Sequence, residues 1–137
     1  MVRDHSHKFL ISLSIDADTS GETDLLGKSV TDLQTDIVVG TDSITGTLKH
    51  VTGYTGYSGD VTEQEGNFLA LHAKDPMAEK ITVEVIGGTH GAVTLDEDGI
   101  AIARITSTEQ SIKYTAYKNG AKEEKVYSLE NLELLSE

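Results

Sequence analysis

The run GETDLLGKS, residues 21–29, ends in Gly27-Lys28-Ser29, the residue types that close a phosphate-cradling loop. Such a loop needs a first glycine five positions before the second, so that successive backbone N–H groups curl around the phosphates. That position is Glu22, and Gly21 lies one residue too early. A carboxylate would stand where phosphate oxygens must approach, so the run reads as a Gly-Lys-Ser turn opening a helix. In LDEDGI, Asp96, Glu97 and Asp98 precede Gly99 like the start of a calcium loop. An EF-hand begun at Asp96 would need an oxygen ligand at its fifth position and a bidentate Glu at its twelfth. Those positions hold Ile100 and Ser107, which leaves an acidic turn leading into a strand. A loose calcium site recruiting Asp60 or Asp75 is the weaker reading.

His5 and His7 in HSH would share one face of a strand and suit zinc if carboxylates joined them. Beside Arg3 and Lys8 they read as solvated polar residues or interface contacts. His72, in LALHA with Phe68 and Ala70 on its face, reads as a satisfied, partly buried histidine. Serines, histidines and acids are plentiful, but no local signature frames a nucleophile with its base. The sequence therefore nominates no catalytic residue, no cofactor-binding residue and no metal ligand, and the expected protein is not an enzyme.

VTGYTGYSGD, residues 51–60, sets Tyr54 and Tyr57 between glycines at spacing three. Two triplets without proline do not make a collagen helix. Tyrosines framed by glycines offer large contact area with little rotamer entropy to lose, which suits a contact surface. A linker over the rim of a β-domain explains the stretch equally well.

The elements that must carry these residues are mostly strands. KFLISLSID, residues 8–16, alternates Phe9, Ile11, Leu13 and Ile15 with Lys8, Leu10, Ser12 and Ser14, a strand with one buried face. Ser29 and Asp32 form a weak capping pattern, with Val30, Leu33 and Ile37 at helical spacing, which predicts a short helix or helical turn near 29–36. A short strand is expected over 44–51. From there strands come regularly, over 67–73, 80–86, 91–95, 100–106, 111–117 and 124–134. Asn119-Gly120 joins two of them as a two-residue hairpin, since both residues accept positive φ. Short strands at this spacing without intervening helices indicate an antiparallel β-sandwich or barrel. Residues 62–137 are expected to form the β-domain, and residues 1–61 an extension carrying one strand and a short helix, with pairing of the 8–16 strand into the same sheet as the alternative.

The 137 residues suffice for one ordinary domain, and a 37% apolar share without Trp favours a core of Ile, Leu and Val. A formal charge of -12 repels phosphate backbones, so nucleic acid is not an expected partner. With no Cys there is no disulfide framework or thiolate site. FLISLSI is too short and too broken by serines for a membrane span or signal segment, so neither membrane nor secretion is expected.

Taken in order, SITGTLKHVTGYTGYSGD, EQEGNFLAL, ITVEVIGGTHGAVTLDEDG and KVYSLENLEL resemble small accessory proteins encoded beside the major capsid gene of tailed phages of Gram-positive hosts. These are the head decoration or head fibre proteins, and the resemblance runs from about Leu25 to Leu134. Residues 1–20 lie outside it. The resemblance implies an immunoglobulin-like sandwich displayed on the outer surface of the virion, made in the bacterial host cytoplasm, with other segments contacting the major capsid protein. A homo-oligomer at a capsid symmetry axis fits the same role. Apolar or tyrosine-rich segments outside a compact domain usually have a partner to cover them, which points to Phe9, Ile11, Leu13, Tyr54 and Tyr57 as protein contacts. The alternative is a carbohydrate-binding or adhesive immunoglobulin-like module, with Tyr54, Tyr57 and nearby acids on a host-surface glycan.

Overall fold

Alternating apolar residues dominate the chain from Glu65 onward, and in the computed structural model they lie on strands of three sheets. The structure describes residues 13–19, 21–23, 26–54, 65–88, 91–95 and 98–136. The strands are β1 (Ser14–Asp16), β2 (Gln34–Val39), β3 (Ile44–Leu48), β4 (His50–Thr52), β5 (Glu65–Lys74), β6 (Lys80–Ile86), β7 (Val93–Thr94), β8 (Ile100–Ile105), β9 (Ser111–Lys118), β10 (Ala121–Ser128) and β11 (Leu132–Leu134). The chain is all-β.

The first sheet is built on β5, which pairs with β8 along one side and with β4 and β1 at different stretches of the other. The second runs β10-β9-β6-β7, entirely antiparallel. Asn119 (φ 52) and Gly120 (φ 88) make the tight β9–β10 turn that the Asn-Gly pair predicts. The third runs β11-β3-β2, with β11 parallel to β3 and β2 at the edge. The expected strand over 124–134 is two strands. A turn at Leu129, where Leu132 N–H donates to the Leu129 carbonyl, carries the chain from the second sheet to the third.

One core lies between the sheets. Leu69, Leu71 and Ala73 of β5 and Ala101, Ala103 and Ile105 of β8 pack with Val83, Val85, Ile112, Tyr114 and Ala116 of the second sheet, a β-sandwich arrangement. Leu13, Ile44, Leu48 and Leu132 belong to the same core. The other faces of β5 and β8 are covered too. Phe68, Ala70, Ile100 and Ile102 form a second cluster with Val30, Leu33 and Tyr54. Strand period two thus feeds two cores from alternate residues of the same strands. The expected boundary between extension and β-domain, at 61/62, falls outside the described residues. Strands from both sides of it pair with one another and share both cores.

The short helix or helical turn expected near 29–36 is a single 3-10 turn, Val30–Asp32. Ser29 caps it as the pattern predicts, its side chain accepting from Thr31 N–H. The chain leaves at Leu33 because Gln34 is claimed by β5. Its carboxamide accepts from Ala70 N–H at 2.9 Å and donates to Ala70 O at 2.9 Å. Ala70 lies between the stretches of β5 that pair with β4 and with β1, so this one side chain serves backbone groups that no strand reaches there.

Candidate functional site

On β9 the even-numbered residues Ile112, Tyr114 and Ala116 face the core, so the next inward position is Lys118. On β10, antiparallel to it, the inward positions are Tyr127, Lys125 and Glu123, and Glu123 pairs with Ala116. On β5 of the opposing sheet, Leu69, Leu71 and Ala73 face the same core, and the next inward position is Asp75. Three charged side chains therefore meet where the apolar faces of two sheets run out.

Lys118 Nζ lies 3.0 Å from Asp75 Oδ2 and 2.6 Å from Glu123 Oε1. The Asp75 side chain is fully buried, while those of Lys118 and Glu123 are 11% and 10% exposed. Asp75 is oriented locally, its Oδ1 accepting from Met77 N–H at 2.9 Å in the turn after β5. One ammonium faces two carboxylates, so the cluster carries a net negative charge. Burial works against the Lys118 charge, but hydrogen bonds to Glu123 and Asp75 outweigh it and hold the amine above its ordinary 10.5. A groove of about 550 Å³ opens beside the cluster, lined by Met77, Glu79, Asn119 and Lys122. Chemically, the arrangement holds an amine against a carboxyl of the facing sheet, with a second carboxyl at the amine.

Sequence reasoning did not nominate Lys118 or Glu123, and named Asp75 only as an acid that a calcium site would recruit. The signal was the period itself: in SIKYTAYK, alternation carries Lys118 to the inward face. Elsewhere, Lys125 Nζ donates to the Leu13 carbonyl at 2.8 Å, and His72 Nε2 lies 2.7 Å from the Asp98 carbonyl oxygen, which matches its reading as a satisfied histidine. Asp75, an acid that a calcium site at the LDEDGI turn would recruit, faces Lys118 instead.

Of the five expected contact residues, Phe9, Ile11 and Tyr57 lie outside the described residues. Leu13 is 1% exposed in the first core. Tyr54 is 7% exposed in the second, its ring 6.2 Å from that of Phe68 and tilted by 42°. The structure does not bring these two together: they lie in separate clusters. The large apolar side chains that remain exposed include Val38, at 61%, Met77, Val126 and Ile86.

Tyr127, buried on the inward face of β10, is raised above its ordinary 10.0 by burial and then by the negative charge of Glu123. A raised value means that the folded state holds the proton more tightly than the unfolded chain does. Stability is then full below 10.0 and is lost as the pH rises through the folded value. Urea midpoints followed upward from neutral pH are expected to fall at the alkaline end in the wild type and less steeply in Tyr127→Phe. Parallel curves would remove Tyr127 from the cause.

Compared with protein-family models, with curated proteins and with solved structures, the chain matches none of them.

Proposed function

We propose that this chain is a non-enzymatic structural protein of a tailed-phage virion, an immunoglobulin-like sandwich that decorates the outer surface of the capsid and reinforces it. The observation that carries the reading beyond sequence resemblance is the edge strand β2. It ends the third sheet, its outer side is unpaired among the described residues, and it holds Val38 at 61% exposure between half-buried Ile37 and Val39. An edge strand bearing exposed β-branched residues is a template for a partner. Two filled cores and a charge of -12 add a rigid, soluble body behind that edge. The partner is the major capsid protein, bound in many copies.

The test is binding to capsids assembled from the major capsid protein of the same genome. The wild type is expected to co-sediment with them to saturation. Val38→Asp, which places a charge on an already exposed position, is expected to weaken binding about tenfold, as loss of a central apolar contact does, while leaving the fold unchanged. A wild type that stays in the supernatant at saturating capsid, or a Val38→Asp variant that binds equally well, would overturn the proposal or its use of β2 respectively. Retention on a glycan array without capsid binding would favour the adhesive alternative.

A further inference from the structure

We propose that Lys118 and Asp75 become joined by an amide between Nζ and Cγ, formed by the folded chain itself, with Glu123 as the proton carrier. The proposal rests on the geometry of the three side chains and is independent of the capsid reading.

Four observations point the same way. Nζ and Oδ2 stand 3.0 Å apart on strands of facing sheets, Lys118 ending β9 and Asp75 following β5. Groups held at such separation react as though at very high concentration, because the entropy of bringing them together was lost when the sheets packed. The second carboxyl, Glu123 Oε1, is at 2.6 Å and so is placed to take a proton from the amine. Met77 N–H donates to Oδ1 at 2.9 Å, which leaves Oδ2 facing the amine and puts a backbone donor where negative charge would develop. Finally, the carboxyl to be attacked is fully buried. Low polarity penalises the ion pair and favours its conversion to a neutral amide.

The step balances. The Lys118 ammonium gives one proton to Asp75 Oδ2, producing a neutral amine beside a neutral acid. The Nζ lone pair attacks Cγ as a second Nζ proton passes to Glu123, and the carbonyl electron pair moves onto Oδ1, against Met77 N–H. The carbonyl re-forms, the Cγ–Oδ2 bond breaks, and Glu123 returns its proton to the departing oxygen. One water leaves, Glu123 is again a carboxylate, and no oxidant or cofactor enters. The first proton goes to Asp75, but the attacking nitrogen must shed a second, and Glu123 Oε1 at 2.6 Å is the carboxylate placed to accept it, so the variant that removes that carboxylate should stop the reaction.

The product is a covalent brace between two sheets in a chain that has no Cys to form one. It closes the segment from Asp75 to Lys118, which contains β6, β7, β8 and β9.

Intact mass spectrometry of the purified full-length protein reads the bond directly. The wild type is expected to be lighter than its sequence mass by one water, and digestion is expected to yield a branched peptide joining residues 75 and 118. Cyclisation at Asp98-Gly99 also expels water, so fragmentation must locate the link. Glu123→Gln and Lys118→Arg are each expected to keep their full mass, with circular dichroism showing the same strand content. A folded wild type at full mass, or a lost water mapping to Asp98, would overturn the amide. A 75–118 link that persists in Glu123→Gln would overturn the role of Glu123.

Discussion

Replacing Phe68 by Ala is expected to lower the free energy of unfolding by about 3–5 kcal/mol, the cost of deleting a buried aromatic ring and leaving its cavity. Phe68 is fully buried at the centre of the second core, against Tyr54, Val30 and Leu33. The surrounding walls have little freedom to collapse. Phe68 sits on β5, which is paired with β8, and Gln34 ties the segment after the 3-10 turn to Ala70 by two hydrogen bonds. A domain of this size has a total stability of about 5–15 kcal/mol, so the variant should be near the threshold of unfolding. Urea denaturation followed by circular dichroism measures it. A loss below about 1.5 kcal/mol would mean that the site repacks, which is the behaviour of a loosely filled cluster and not of a second core.

That second core shows where reading the sequence stops. The strands of the second sheet were legible because one face is apolar and the other polar: Ile112, Tyr114 and Ala116 alternate with Lys113, Thr115 and Tyr117. β5 and β8 were legible as strands but not as double-sided ones, because FLALHA and IAIARI are apolar on both faces and periodicity cannot say what covers each. The same ambiguity surrounds Leu13 and Tyr54. An apolar residue in a polar stretch looks as if it awaits a partner, and the partners that the structure supplies, such as Phe68 for Tyr54, are distant in sequence. The helical spacing of Val30, Leu33 and Ile37 was a true local signal at Ser29, and a non-local contact from Gln34 to β5 cut it short. Parallel pairing of β11 with β3 leaves no local trace, which is why one expected strand over 124–134 proved to be two. The Lys118 cluster was hidden differently. Charged residues in strands usually mark solvated faces, and only the count of alternation from Tyr114 reveals that Lys118 points inward.

Gly46→Ala is expected to cost about 2–4 kcal/mol, combining the strain of an unfavourable backbone conformation with overpacking against a neighbouring strand. Gly46 lies in the middle of β3 at φ +134, where L side chains are rarely found. An added Cβ would stand 2.6 Å from Ile37 Cδ1, 2.8 Å from Asp36 O and 2.9 Å from Ile37 Cα, and two of these three are backbone atoms. They belong to a β-bulge. The β2–β3 register passes from Thr35↔Thr47 to Val38↔Thr45, leaving Asp36 and Ile37 opposite Gly46, with Asp36 at φ 57. β3 cannot retreat, because on its other side Gly46 pairs with Leu132 of β11. The strain must therefore move β2, the strand that carries Val38. Gly120→Ala is the control. Gly120 also has positive φ, at +88, but nothing lies within 4 Å of its added Cβ, so the expected cost is the conformational part alone, about 1–2 kcal/mol. Urea unfolding of both variants separates the two contributions, and equal losses would show that the bulge yields without cost. Capsid co-sedimentation of Gly46→Ala adds a second reading: if β2 is the docking edge, displacing its bulge should lower occupancy while Val38 is still present, whereas Gly120→Ala, at the far hairpin, should leave occupancy unchanged.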